Sequence, residues 1–190
     1  PDYAKAFVMT EEEARDKGIE KQILKPVVLG KHVSRYNKIK SNDVILYLTA
    51  RDNINDYPYA KAHLNAFRKF ITCREVAEGK HPWYALHRPR NPEIFTPRKF
   101  IGLTTTRKLC LSIDDEIGYY ATDALYLFKI KKDINEQAVL AVLHSKTFQF
   151  LYDTIIQGGQ RVIPQVKAVY LNELPFPKID KHEAELSKYV

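Results

Sequence analysis

Apolar positions recur along this chain at two spacings, and the spacing changes where one element gives way to the next. From Tyr59 to Glu78 they fall three and four apart, at Ala60, Leu64, Phe67, Phe70 and Ile71, which predicts a helix with one buried face. Lys61, Arg68, Lys69 and Arg74 lie mainly off that face, and Gly79 ends the run. Asn135 to Ile156 predicts the longest helix: Val139, Leu140, Val142, Leu143, Phe148, Phe150, Leu151 and Ile155 form a wide apolar stripe, closed by Gly158-Gly159. Thr10-Glu11-Glu12-Glu13 is a capping box that starts a short helix reaching about Lys17, with Gly18 as its stop.

Strand patterns fill the rest. Asp43 to Thr49 is rich in β-branched and aromatic residues between turn formers, and Leu24 to Tyr36 reads as extended chain broken by Pro26 and Gly30. Trp83–Leu86, Lys99–Leu103, Leu109–Ile113 and Ala124–Ile130 are further short strands; Arg161–Ile163 and Val166–Leu171 read as extended, and Leu174-Pro175-Phe176-Pro177 as a rigid exit. Successive short strands without alternating helices predict an α+β fold: a single domain with a mixed or antiparallel sheet packed against two main helices. Residues 1–36 are expected to be a joining segment, 37–180 the domain and 181–190 a tail.

Composition narrows the function. With 190 residues there is room for one real core, and no apolar run approaches the ~18 residues of a membrane span. The start at Pro1, without a charged-then-apolar leader, leads us to expect a piece of a longer cytoplasmic protein. Cys73 and Cys110 form no CxxC pair and are expected to be buried thiols. The six histidines are scattered; His81 and His87 are the closest pair, with no thiolate or carboxylate at a helpful sequence spacing, so no metal site is expected.

Catalytic signatures are missing too. The chain has no glycine-rich cofactor turn, no Asn/Asp-Pro-Pro-aromatic loop, no phosphate loop and no GxSxG elbow. One alternative survives. Glu78-Gly79-Lys80 matches the E-x-K half of a magnesium-dependent nuclease site, with Asp52 or Asp56 as its second carboxylate. Asp114-Asp115-Glu116 followed by Gly118 is more simply a hairpin turn.

Charge points elsewhere. Thirty Lys and Arg against 23 acidic residues leave a net charge of +7, and the stretch from Arg68 to Lys108 is heavily basic. Arg88 and Arg90 flank Pro89 directly after Trp83-Tyr84, of which Trp83 is expected in the core. Arg98-Lys99 follows, then Thr104-Thr105-Thr106-Arg107-Lys108 between two strands, and then Gln157-Gly158-Gly159-Gln160-Arg161. Guanidinium groups pair with guanine edges or phosphates, glutamine amides pair with adenine, and hydroxyls donate to phosphate oxygens. Three such loops in one basic domain favour binding to double-stranded DNA over a protein-interaction domain with incidental charge. No RNA-binding signature accompanies them.

Six segments in order resemble the specificity region of TaqI-like adenine methyltransferases. They are Ala6-Phe7-Val8 with the capped helix and Leu24–Gly30 leading to Arg35-Tyr36; Trp83-Tyr84 to Arg90; Pro97–Ile101; Asp114–Tyr120; Val142–Lys146; and Leu174–Pro177. One departure stands out: Leu143-His144-Ser145 replaces the usual Leu-Asn-Ser. The resemblance implies the target-recognition domain of a type IIG restriction-modification enzyme, whose other parts are a nuclease and an adenine-N6 methyltransferase. The Gly-Gln loop and the Pro-x-Pro exit also resemble recognition halves of type I specificity subunits. In this reading Arg107, Lys108, Gln160 and Arg161 contact bases, while Arg88, Arg90, Arg98 and Lys99 hold phosphates. The domain itself has no catalytic centre and no cofactor. S-adenosylmethionine and magnesium belong to the parent protein, and the methyltransferase domain is the partner within the same polypeptide.

Overall fold

The Thr10 hydroxyl accepts a hydrogen bond from the Glu13 amide at 3.1 Å, and the capped helix (α2, Glu11–Asp16) ends before Gly18, whose φ of +68° suits glycine. This is how the computed structural model of the chain begins to realise the sequence pattern. It describes every residue except Pro1, Tyr36, Asn37, Lys132, 157–164, Lys167 and Asp180. The architecture is α+β, and the chain falls into two compact units, residues 1–27 with 41–93 and residues 28–40 with 94–190.

The first unit opens with a helix (α1, Asp2–Phe7) and a strand (β1, Val8–Thr10). Two further strands follow, β2 (Leu24–Val28) and β3 (Asp43–Leu46), and both β1 and β2 pair antiparallel with β3. The helix expected over Tyr59–Glu78 is three short ones: α3 (Pro58–Ala66), α4 (Arg68–Ile71) and α5 (Arg74–Ala77). Thr72 and Cys73 adopt extended backbone and interrupt it, and Phe70, expected inside, is 57% exposed. Ala60, Leu64 and Ile71 do reach the core with Phe7, Leu46 and Leu48. Trp83, Tyr84 and Leu86 pack on that core from a turn rather than from the expected strand.

In the second unit β4 (Lys99–Leu103) is central, with β5 (Leu111–Asp114) and β7 (Leu125–Lys129) antiparallel on either side. A two-residue strand, β6 (Tyr120–Ala121), lies between β5 and β7 in sequence. Successive side chains of a strand point to opposite faces. Phe100 accordingly joins Leu111, Leu140, Phe148 and Tyr152 on one side of the sheet. Ile101 joins Val28, Val33, Cys110, Tyr119 and Leu125 on the other. The long helix expected over Asn135–Ile156 is two, α6 (Glu136–Leu143) and α7 (Lys146–Ile156). Asn135 caps α6 by accepting from the Ala138 amide at 3.0 Å. Ser145 does the same for α7, accepting from Phe148 at 3.1 Å, so a second cap is built into the apolar stripe. Phe150, counted in that stripe, is 68% exposed.

Val166–Leu171 is not extended: a helix (α8) covers Ala168–Glu173. The expected tail contains a further helix (α9, Glu183–Leu186) that lies against α6. Of the two cysteines, Cys110 is buried as expected, but Cys73 is only partly so. No helix among the described residues is long and apolar enough to cross a membrane.

Candidate nucleic-acid interface

The loop from Thr104 to Cys110 joins β4 to β5 and carries Arg107 and Lys108 exposed at its tip. Hydrogen bonds within the loop hold it. Thr106 Oγ donates to the Lys108 carbonyl at 2.8 Å and accepts from the Lys108 amide at 3.3 Å, which closes a small turn around Arg107. Thr104 Oγ donates to the Ala124 carbonyl at 2.9 Å, and Thr105 bridges antiparallel to Gln165. The threonine hydroxyls at 104 and 106 therefore bond the backbone first. Thr105 is the exposed one of the three.

A second layer of bonds fixes the loop base. Arg35 donates twice to the Leu109 carbonyl, from Nε at 2.9 Å and Nη2 at 2.7 Å, and from Nη2 to Gln149 Oε1 at 2.9 Å. Gln149 Oε1 also accepts from the Leu109 amide at 2.9 Å, and its Nε2 donates to the Arg107 carbonyl at 3.3 Å. His144 Nε2 accepts from the Leu111 amide at 3.2 Å. Burial pushes the His144 imidazole down to about 4, with the Arg35 charge acting in the same direction, so the ring is neutral and able to accept. Gln149 is a polar position inside an apolar helix stripe, and Arg35 lies far away in sequence. Of these positioning residues only Arg35 and His144 stand in the segments of resemblance, and nothing in their spacing links them to the loop.

The other candidates divide by unit. In the second unit Arg98 has a φ of +59° and donates from Nη2 to Glu136 at 3.2 Å, on the surface. Lys99 corrects the sequence reading, because its side chain is wholly buried. Its amine pairs with Asp114 and donates to the carbonyls of Phe95 at 2.7 Å and Thr96 at 3.3 Å, which removes it from any phosphate-contacting set. Burial pulls that amine below its ordinary value, opposed by the Asp114 carboxylate. Asp114 also accepts from the amides of Ile117, Gly118 and Tyr119 at 3.2, 3.1 and 2.6 Å, so the expected Asp114–Gly118 turn folds around a buried ion pair. Glycine is required at 118 on two counts: its φ is +76°, and a Cβ there would sit 3.0 Å from the Phe95 carbonyl oxygen.

In the first unit Arg88 and Arg90 are exposed, Arg88 with a φ of +61°, and the Arg90 carbonyl accepts from the Tyr47 hydroxyl. Gln160 and Arg161 lie outside the described residues, within a segment that follows α7 and precedes Gln165. The nuclease alternative finds little support. Both Glu78 oxygens are engaged, by Arg74 and by Lys80 at 2.6 Å each, which holds the carboxyl below its ordinary value. Asp52 closes a turn by accepting from the Thr49 amide and hydroxyl at 2.7 Å, and Asp56 accepts from the Asn53 side chain at 3.4 Å.

Among solved structures, the chain is similar to type IIL restriction-modification enzyme MmeI, determined in complex with DNA. The TM-score is 0.60 at 14% identity, over 96% of this chain and 25% of that one. The likeness is one of fold, and this chain spans a quarter of the length of MmeI. Among curated proteins no sequence match was found. The sequence pattern of the TaqI-like C-terminal specificity domain matches residues 25–176, and the chain belongs to that family.

Proposed function

We propose that this chain reads the sequence of duplex DNA as the specificity domain of a restriction-modification adenine methyltransferase of the type IIG class. The observation that carries the reading is the β4–β5 loop, where Arg107 and Lys108 stand exposed on a base tied down by Arg35, Gln149 and His144. A bidentate guanidinium contact is geometrically specific for a guanine edge, and a braced backbone keeps the side chain aligned for it. Family membership supports the reading, as does the fold shared with an enzyme captured on DNA. Arg107 and Lys108 contact base edges, together with Gln160 and Arg161; Arg88, Arg90 and Arg98 hold phosphates and set register. Arg98 must leave Glu136 to do so, and surface ion pairs of that kind are worth only ~0–1 kcal/mol. Methyl transfer, S-adenosylmethionine and magnesium belong to the rest of the parent polypeptide, whose methyltransferase domain is the partner of this one.

The test is selection of random duplex DNA at moderate salt, on this chain and on the chain joined to its methyltransferase domain. Recovery of one short motif is the expected result. Binding that stays blind to sequence in both forms would remove the reader role and favour an interaction domain with incidental charge.

A further inference from the structure

The sequence spacing of cysteines and histidines suggested no metal site, but the fold of the first unit gathers three ligand types that the chain order separates. Cys73 lies in the extended break before α5, and Glu75 stands in the first turn of that helix. The chain then turns back at Gly79. Leu86 donates its amide to the Leu48 carbonyl at 2.8 Å and Ala85 is buried, which anchors the return and delivers His87 to the same place. The thiol sulfur, a carboxylate oxygen and an imidazole nitrogen of these residues all lie within 4.8 Å of one another. His87 Nε2 is 3.8 Å from Glu75 Oε1. Tetrahedral zinc, with bonds of about 2.0–2.3 Å, sets its ligand atoms roughly 3.5 Å apart, so small side-chain rotations close the set.

We propose that Cys73, Glu75 and His87 bind one divalent cation of the zinc class, with water in the fourth position. The donor set decides the class: thiolate and imidazole favour zinc over magnesium or calcium, which take oxygen ligands. A thiolate and a carboxylate together balance the two positive charges of the ion. His81 packs its ring edge-on against His87, with centroids 5.4 Å apart, and limits the ways that imidazole can turn. The ion ties α5 to the returning segment, next to Arg88.

Cobalt(II) titration of the reduced chain tests this without DNA, so its outcome does not depend on the recognition function. One equivalent of cobalt should produce a thiolate-to-cobalt charge-transfer band, which zinc abolishes by displacement and magnesium leaves alone. Cys73→Ser should lose the band and Cys110→Ser keep it. Glu75→Gln and His87→Ala should each weaken binding by at least about tenfold, as loss of a ligand must cost no less than loss of a supporting group. Absence of the band in the parent chain overturns the site, as does a band that persists in Cys73→Ser or undiminished affinity in both other variants.

Discussion

Lys99 and Lys108 carry the same charge on the same side chain, yet one is buried against Asp114 and the other stands at the surface. Sequence alone placed both in the basic stretch, because an inward lysine on a short strand looks no different from an outward one until its partner is known. Removing one member of a buried pair leaves the other uncompensated, a cost of about 3–5 kcal/mol. Lys99→Ala should therefore lower stability by that amount in urea denaturation and leave the salt dependence of DNA binding as it was. A midpoint equal to that of the parent would show the pair to be dispensable. His144 gives a residue-scale prediction with a pH sign. Its folded value, about 4, lies below the ordinary 6.5, so the unfolded chain takes up protons first as pH falls. The stability it protects is present above about pH 6.5 and is lost towards pH 4, on the order of 2 kcal/mol between pH 7 and pH 5. Asparagine, the usual family residue here, does not titrate. His144→Asn should flatten the acid limb of the stability curve, and an unchanged limb would place the sensitivity elsewhere.

At the scale of elements, the strongly periodic segments were legible but their continuity was not, and Trp83–Leu86 and Val166–Leu171, read as extended, are a turn and largely a helix. The periodicities found the segments of α3, α6 and α7 and the strands β3, β4, β5 and β7, since apolar spacing reports directly on which face is buried. The helix readings ran unbroken through Thr72-Cys73 and through His144-Ser145, where the backbone in fact leaves the helix. Ser145 shows why: a serine at a helix start and a serine on a helix face read alike until its hydroxyl is seen accepting from Phe148. That second break matters for the site. It turns His144 towards Leu111 and starts α7 so that Gln149 meets Arg107 and Leu109. Arg35→Ala removes three of the bonds that hold this junction, each worth about 1.5–3 kcal/mol where a charged group donates. The Leu109 and Leu111 amides should then exchange hydrogen faster while those of β7 do not. Discrimination at the base position read by Arg107 should fall by roughly tenfold, about 1.4 kcal/mol of a bidentate contact. Exchange that speeds up equally across the whole sheet would mean that Arg35 supports the fold and not the loop.

Across the whole molecule, a net charge of +7 attracts any polyanion, and the candidate arginines differ in what they add to that field. A phosphate contact releases counterions whatever the sequence, whereas a base contact changes affinity for one sequence against another. Arg88 is exposed on a loop of the first unit, and Arg107 is exposed on the braced loop of the second. In binding titrations over a range of salt, Arg88→Ala should weaken all duplexes alike and reduce the slope of log affinity against log salt by about 1. Arg107→Ala should cost ~1–3 kcal/mol at one base position and leave discrimination at the others intact. The two variants thus separate positioning from reading within one measurement. If both lower affinity uniformly, Arg107 is a phosphate contact too, and selectivity must come from Lys108, from the segment holding Gln160 and Arg161 or from the shape of the DNA.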